Sequence, residues 1–259
     1  MLSLFRGLTV LCAAAAAAGL GTTPVLAQAN DDPLARFEDP VCPGVAGLTR
    51  DAAEAMVGRI RANAEALGLR LAENGNCQAN LVVAFVKDGQ DYLSRLHANA
   101  RYAFGDMRLA DQRALLASPG PIRVLQRIVP HSRDGRPIPS NENLVDVPQT
   151  AMWMAHSKIY SAIRNDIDYA IVLIDRDEIE GAGIGQLADY ATFKGLAQTL
   201  PPVYDDSILA LFGGGEARPD GLTDFDRAYL TALYQGVPNL PAPARRAQLE
   251  AATGRDIFK

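Results

Sequence analysis

Two short apolar runs constrain the fold of this chain more than any other feature. One run extends from Asn80 to Val86 (NLVVAFV) and the other from Tyr169 to Ile174 (YAIVLI). Both are rich in β-branched and aliphatic residues, and continuous apolar runs of this length are typical of strands buried within a sheet. The two segments are therefore predicted to be mostly buried strands, and the second gives the strongest strand signal in the chain.

Helical patterns lie between and after these strands. Thr49 can cap a first helix, and Thr223 can cap a later helix that continues to Leu233. Apolar residues of the first helix recur at helical spacing: Met56, Val57, Ile60, Ala64 and Leu67. Further segments are predicted as helices over 88–96, 110–116, 184–200 and 242–252, and as a strand near a sheet edge over 122–129. The segment 152–160 fits either a strand or a helix, and a strand is favoured. Strands interspersed with helices predict an α+β fold, a mixed α/β layer in one domain.

The first 27 residues have the composition of a secretory signal peptide. Arg6 supplies the positive charge, an apolar run follows from Leu8 to Leu20, and Val25-Leu26-Ala27 suits signal peptidase cleavage. An uncleaved membrane anchor is the alternative, but the apolar run is shorter than the roughly 20 residues of a membrane span. We therefore expect a signal peptide over 1–27 and a periplasmic or secreted protein. An extended lead-in is expected over 28–48, and its first part, 28–40, is polar and contains proline, which predicts a flexible segment. A single domain is expected over 49–259.

Two cysteines remain after removal of the predicted signal peptide, Cys42 and Cys77. An even pair in an oxidising compartment favours a disulfide, which would tie the lead-in to the loop after the first helix. Two free thiols are the alternative. A metal site is disfavoured because no C-x-x-C motif and no clustered histidines accompany the pair.

The charge of the chain limits its partners. The formal net charge is −5 and no block of basic residues is present. An acidic chain of this kind is a poor partner for nucleic acid or for anionic lipid. No apolar run after the first 27 residues is long enough to cross a membrane.

Two polar segments after the second strand could bind a ligand, but simpler structural interpretations of both are favoured. Residues 181–186 (GAGIGQ) fall where a phosphate-binding loop would lie, yet Gln186 replaces the third glycine of the dinucleotide fingerprint, which favours a turn with close helix packing. The acidic residues Asp175, Asp177, Glu178 and Glu180 could bind calcium, but they lack a full loop of alternating ligands and favour a solvated turn.

The only tryptophan of the chain lies beside one of its three histidines, in the run from Met152 to Ser157 (MWMAHS). Trp153, His156 and Tyr160 could line a ligand groove; alternatively, they fill the core. His97 is expected on an exposed helix face and His131 in a turn. The nucleophile motifs G-x-S-x-G and S-x-x-K are absent from the sequence.

The stretch from Ala170 to Ala197 resembles the passage from a strand to the active-site helix in zincin-type metalloproteases. Its strand ends at Ile174-Asp175, an acidic link comes next, and Gln186-Leu187-Ala188-Asp189-Tyr190 stands at a helix start. The segment from Ser207 to Tyr234 is similar to the segment after that helix in secreted bacterial families with a zincin-like fold. The whole chain also resembles uncharacterised secreted bacterial proteins through residues 39–44 (DPVCPG), 152–157 and 186–190.

This resemblance implies a zincin-like layer of mixed sheet and helices that has lost its metal. A zincin carries two zinc-binding histidines four residues apart, with a glutamate after the first as general base. Gln186, Leu187 and Tyr190 stand at these three positions here. Gln and Tyr are poor zinc ligands and Leu cannot take a proton, so no metal and no cofactor are expected.

The sequence therefore predicts an exported binding or scaffolding module of the cell envelope rather than an enzyme, with an envelope protein or peptide as partner. Gln186, Asp189 and Tyr190 would face a groove that includes His156. The alternative is a periplasmic hydrolase of cell-wall or peptide substrates whose carboxylate or metal site is assembled from distant residues. Perturbed carboxylates that converge in one cleft would support that alternative.

Overall fold

The two apolar runs form the centre of a four-stranded sheet. The computed structural model describes residues 32–73, 75–105, 107–138, 159–179 and 181–258. The sheet has the strand order β1-β2-β4-β3. Its strands are β1 (Pro43–Ala46), β2 (Leu81–Val86), β3 (Ile122–Ser132) and β4 (Ile163–Asp175). β1, β2 and β4 are parallel and β3 is antiparallel to β4. Both predicted central strands are confirmed, as is the predicted strand β3 at a sheet edge.

Helices connect and follow these strands, and short 3-10 turns lie between some of them. The helices are α1 (Arg50–Ala66), α2 (Gly89–Asn99), α3 (Leu109–Leu116), α4 (Ile184–Leu196), α5 (Asp224–Tyr234) and α6 (Ala242–Thr253). The α+β class and the single domain are confirmed. α4 ends at Leu196 rather than at the predicted Leu200. Near this end, Nε2 of Gln126 on β3 donates to the carbonyls of Lys194 and Gly195, at 3.2 and 2.9 Å.

The two faces of the sheet are covered unequally. Alternate residues of a strand point to opposite faces. Val83 of β2 and Val172 of β4 belong to the larger core, which includes residues of α1, α4, α5 and α6. Leu125 of β3 and Leu173 of β4 point the other way, into a small core that α2 and the turn before α3 complete with Leu93, Ala103 and Phe104. Most of the buried apolar surface therefore lies on the α1–α4 side.

The predicted lead-in is part of the core. Residues 33–37 are buried, although their polar, proline-containing surroundings predicted a flexible segment. Arg36 forms a parallel bridge to Asp166, beside the part of β4 that precedes its pairing with β2. Its guanidinium also donates to the carbonyls of Leu233 and Gly236, both at 3.1 Å, at the end of α5. The segment is ordered because its one buried charge binds carbonyls that the helix end leaves free.

A disulfide links Cys42 to Cys77, as predicted, with a Cα–Cα distance of 6.2 Å. It ties the residue before β1 to the loop that precedes β2. Cross-linking of a loop of this length contributes roughly 3–4 kcal/mol in the chain-entropy account.

The helices of the described ranges include none that is long and apolar enough to cross a bilayer. Residues 1–27 and most of the predicted strand 152–160 lie outside the described residues.

Candidate functional site

Asp189, in the second turn of α4, is fully buried. Arg59 of α1 donates to both carboxylate oxygens, from Nε at 2.8 Å and from the terminal nitrogen at 2.7 Å. Nδ2 of Asn63 donates at 2.6 Å and the backbone N–H of Leu222 at 3.0 Å. We call these four residues the Asp189 clasp. Burial alone would raise the pKa of Asp189, but the donors from Arg59, Asn63 and Leu222 hold that pKa below its usual range.

Gln186 strengthens the same junction one turn earlier on α4. Its Oε1 accepts from the backbone N–H of Gly183 at 2.9 Å, and its Nε2 donates to the carbonyl of Pro219 at 2.8 Å. Gly221 must be glycine because a Cβ there would collide with the Asp189 carboxylate. Gln186 and Asp189 thus hold residues 219–222 against α4.

Tyr190 packs its ring edge-on against Phe212, with ring centroids 5.1 Å apart. Only 7% of the residue is exposed. Burial raises the pKa of Tyr190 to about 12, so the phenol is neutral at physiological pH. The side chain supplies packing area to the core around α4.

Of the three remaining predicted site residues, only Tyr160 lies within the described part of the chain. Trp153 and His156 lie outside the described residues. Tyr160 is half-buried, and the guanidinium carbon of Arg133 lies 5.9 Å from the centre of its ring. A shared groove for these six residues stays a prediction. The structure shows instead that Gln186 and Asp189 make their polar contacts within the chain.

A second charged cluster, which the sequence patterns did not reveal, lies at the start of β4. Oδ2 of Asp166 accepts from Arg164 at 2.9 Å, and Nδ1 of His131 lies 3.3 Å away. Glu38 lies 3.8 Å from Arg164. We call Glu38, His131, Arg164 and Asp166 the Asp166 cluster. His131 was expected in a turn, but it belongs to β3, and His97 packs edge-on against Phe104 rather than lying on an exposed face.

Two buried polar atoms of the Asp166 cluster lack a hydrogen-bond partner among the described residues, Oδ1 of Asp166 and Nε of Arg164. Burial raises the pKa of Asp166, and this outweighs the opposing effect of Arg164 and His131. The cluster can therefore take up a proton more readily than the Asp189 clasp. One sequence signal for it exists, since Arg164 and Asp166 are two residues apart and so share a face of β4.

Asp175 was predicted in a solvated acidic turn, and this is wrong because only 3% of it is exposed. It accepts from the terminal nitrogen of Arg123 at 2.7 Å and from the backbone N–H of Gly89 at 2.5 Å. Asp177 and Glu178 are exposed, as expected, and Glu180 lies outside the described residues. The carboxylate of Asp175 thus accepts a hydrogen bond from the first turn of α2 and forms an ion pair with a buried arginine of β3.

Within the described ranges, no group of three His, Cys, Asp or Glu side chains is arranged to hold a metal ion. Comparisons of the chain with protein-family models, with curated proteins and with solved structures find no match. The resemblance to zincins therefore stays a prediction, and the contacts of Gln186, Asp189, Tyr190 and the Asp166 cluster are the basis for any functional proposal.

Proposed function

We propose that this protein is an exported binding or scaffolding module of the cell envelope in which α4 is a structural helix. The observation that carries the proposal is the Asp189 clasp. Both oxygens of the carboxylate accept hydrogen bonds, which come from three different residues of the chain. A carboxylate engaged in this way stabilises the junction of α1, α4 and the 219–222 loop, and it has little capacity left for a ligand.

The positions that correspond to the zincin ligands support the same interpretation. Gln186 bonds Gly183 and Pro219, Leu187 is 1% exposed, and Tyr190 packs on Phe212. A zinc site needs open ligands and a nearby base. Leu187 has neither a ligand atom nor a proton acceptor, and the Tyr190 phenol remains protonated.

Export is part of the proposal. The Cys42–Cys77 disulfide is the kind of bond that persists in oxidising compartments, and the composition of residues 1–27 is that of a signal peptide. We infer a periplasmic or secreted location and an envelope protein or peptide as the partner.

The buried carboxylates support the hydrolase alternative less than they support the binding or scaffolding module. The pKa of Asp166 and that of Asp226 are both raised by burial. Asp226, however, caps the start of α5, where it accepts from the hydroxyl of Ser207 at 2.6 Å and from the N–H groups of Ile208 and Thr223, at 2.7 and 2.9 Å. Its oxygens thus have donors within the chain, whereas Asp166 belongs to the separate cluster at the start of β4.

The test is the metal content of the purified mature protein together with its thermal unfolding before and after dialysis against a chelator. We expect well below one equivalent of any transition metal and an unchanged melting temperature, because α4 offers no open ligand set. Zinc close to one equivalent per chain, lost with a fall in melting temperature on chelation, would contradict the proposal and favour an enzyme. The Tyr190→Phe variant serves as a control, since it keeps the ring and removes the only side-chain oxygen that Tyr190 could give to a metal.

A further inference from the structure

Residues 33–38, which we call the N-terminal segment, run beside the first part of β4, where Arg36 forms a parallel bridge to Asp166. The N–H of Ile167 donates to the carbonyl of Arg36 at 2.9 Å, and the N–H of Arg36 donates to the carbonyl of Asn165 at 3.3 Å. This part of β4 precedes the pairing of β4 with β2. The N-terminal segment therefore covers a strand edge that β2 does not reach.

Side-chain charges also join the N-terminal segment to β4. Glu38 accepts from Nε of Arg36 at 2.6 Å and lies 3.8 Å from Arg164. Arg164 donates to Oδ2 of Asp166 at 2.9 Å, so one guanidinium lies between carboxylates of two elements. Nδ1 of His131 lies 3.3 Å from the same oxygen of Asp166. The Asp166 cluster is thus located where the N-terminal segment, β4 and the end of β3 meet.

The buried carboxylate of Asp166 is incompletely paired within this cluster. The charged or titratable groups around Asp166 and its partner Arg164 come from four elements: Glu38 of the N-terminal segment, Arg164 of β4, His131 of β3, and Asp134 and Arg136 of the turn after β3. In the described part of the chain, none of them reaches Oδ1 of Asp166, which is buried without a hydrogen-bond partner. Contact with water would satisfy this oxygen, and only a separation of the surrounding elements provides that contact.

We propose that the Asp166 cluster is a proton-linked latch, which holds the N-terminal segment against β4 when Asp166 is protonated and loosens it when Asp166 is charged. Separation of the segment from β4 would hydrate the carboxylate, so the charged form favours the open state and the protonated form favours the closed state. Neutralisation of Asp166 also leaves Arg164 to pair with Glu38, which belongs to the N-terminal segment. The latch needs no partner, and it is therefore independent of the proposed binding function.

The direction of the effect follows from the pKa of Asp166, which burial raises in the closed state. Hydration in the open state returns that pKa toward the usual value of about 3.9. Opening therefore releases a proton at pH values between the two. The equilibrium constant for opening should rise by up to about tenfold per pH unit in this range and become constant above the raised pKa.

The experiment is amide hydrogen exchange of the full mature chain from about pH 3.5 to 7.5, with each rate divided by the intrinsic rate at the same pH. The probes are the N–H groups of Arg36 and Ile167, which bond across the N-terminal segment and β4. The reference is the N–H of Ala170, which donates to the carbonyl of Asn80 at 2.8 Å beside the central pairing of β4 with β2. We expect both probes to be less protected than Ala170 and to lose protection as the pH rises.

Two variants separate Asp166 from the other acids. Asp166→Asn cannot ionise at this position, so the pH dependence of the two probes should disappear and the segment should stay closed across the range. Asp168→Asn is the matched control on the same strand, because Asp168 pairs with Arg127 at 3.2 Å but its side chain is 46% exposed. It should keep the pH dependence of the wild type. Thermal unfolding checks that both variants are folded.

Three results would overturn the proposal. Protection of the probes that is constant or that increases as the pH rises would contradict the direction of the latch, and this result does not depend on the folding of any variant. An equal pH dependence in Asp166→Asn and in the wild type would assign the effect to Glu38 or His131. Protection of Arg36 and Ile167 equal to that of Ala170 at every pH would show that the segment opens only when the whole fold opens.

Discussion

Asp189 and Asp166 are both buried aspartates, 0% and 8% exposed, yet their pKa values are shifted in opposite directions. Asp189 receives four hydrogen bonds from Arg59, Asn63 and Leu222. Asp166 has Arg164 and His131 at one oxygen, and its other oxygen has no partner among the described residues.

The comparison shows that burial and hydrogen-bond donors have separate effects on the pKa of a buried aspartate. Burial disfavours the charged form of both carboxylates, and only the donors of the Asp189 clasp are sufficient to reverse that effect. Asp189 is therefore a structural anion that joins three parts of the fold. Asp166 is a carboxylate whose charge is incompletely stabilised, so it is the better candidate for a residue that responds to a proton or to a polar ligand.

The largest expected effect is that of Asp189→Ala. The change leaves the amide of Asn63 and the N–H of Leu222 without this acceptor and removes the ion pair with Arg59. We expect the free energy of unfolding to fall by about 3 kcal/mol, measured by urea denaturation at neutral pH.

Asp168→Ala is the matched control for this change. Asp168 also pairs with an arginine, Arg127, at 3.2 Å, but its side chain is 46% exposed. Its removal should cost less than about 1 kcal/mol because exposed ion pairs are weak. Equal losses for the two variants would mean that the Asp189 clasp contributes no more than a surface pair.

A smaller effect is expected for Asp166→Asn. The amide resembles the protonated carboxyl group, which burial favours at this position, so the free energy of unfolding at neutral pH should change by less than about 1 kcal/mol. Because the pKa of Asp166 is raised on folding, the wild type should gain stability relative to Asp166→Asn as the pH falls through that raised pKa toward the usual value of about 3.9. A loss as large as that of Asp189→Ala would show that the charge of Asp166 is needed for stability.

Local sequence patterns predicted the six helices, β2, β3 and the later part of β4, but not β1 (Pro43–Ala46), which lies in the predicted lead-in. The runs that form β2 and the later part of β4 are apolar enough to be identified as central strands from their local sequence. Thr223 caps α5 as its sequence indicates, with Asp226 bonding back to the N–H of Thr223 at 2.9 Å. These features depend on neighbours in the chain, so the order of residues is sufficient to find them.

The contacts that decide function depend on distant residues, and sequence patterns do not show them. Arg59 and Asn63 lie 130 and 126 positions from Asp189. Arg36 binds the carbonyl of Leu233, 197 positions away, and this contact orders a segment that composition had predicted to be flexible. A sequence shows that a carboxylate is present, but only the packing of α1 against α4 shows how many donors reach it.

The most direct test of the account is a titration of the aspartate carboxyl carbons by NMR, with Asp189→Asn and Asp166→Asn used to assign the two signals. We expect Asp189 to titrate below the usual value of about 3.9 and Asp166 to titrate above it. That result would establish that internal donors, rather than burial, determine the state of the carboxylate on α4. An Asp189 that titrates at or above Asp166 would contradict the account and would return Asp189 to the set of candidate ligand-binding residues.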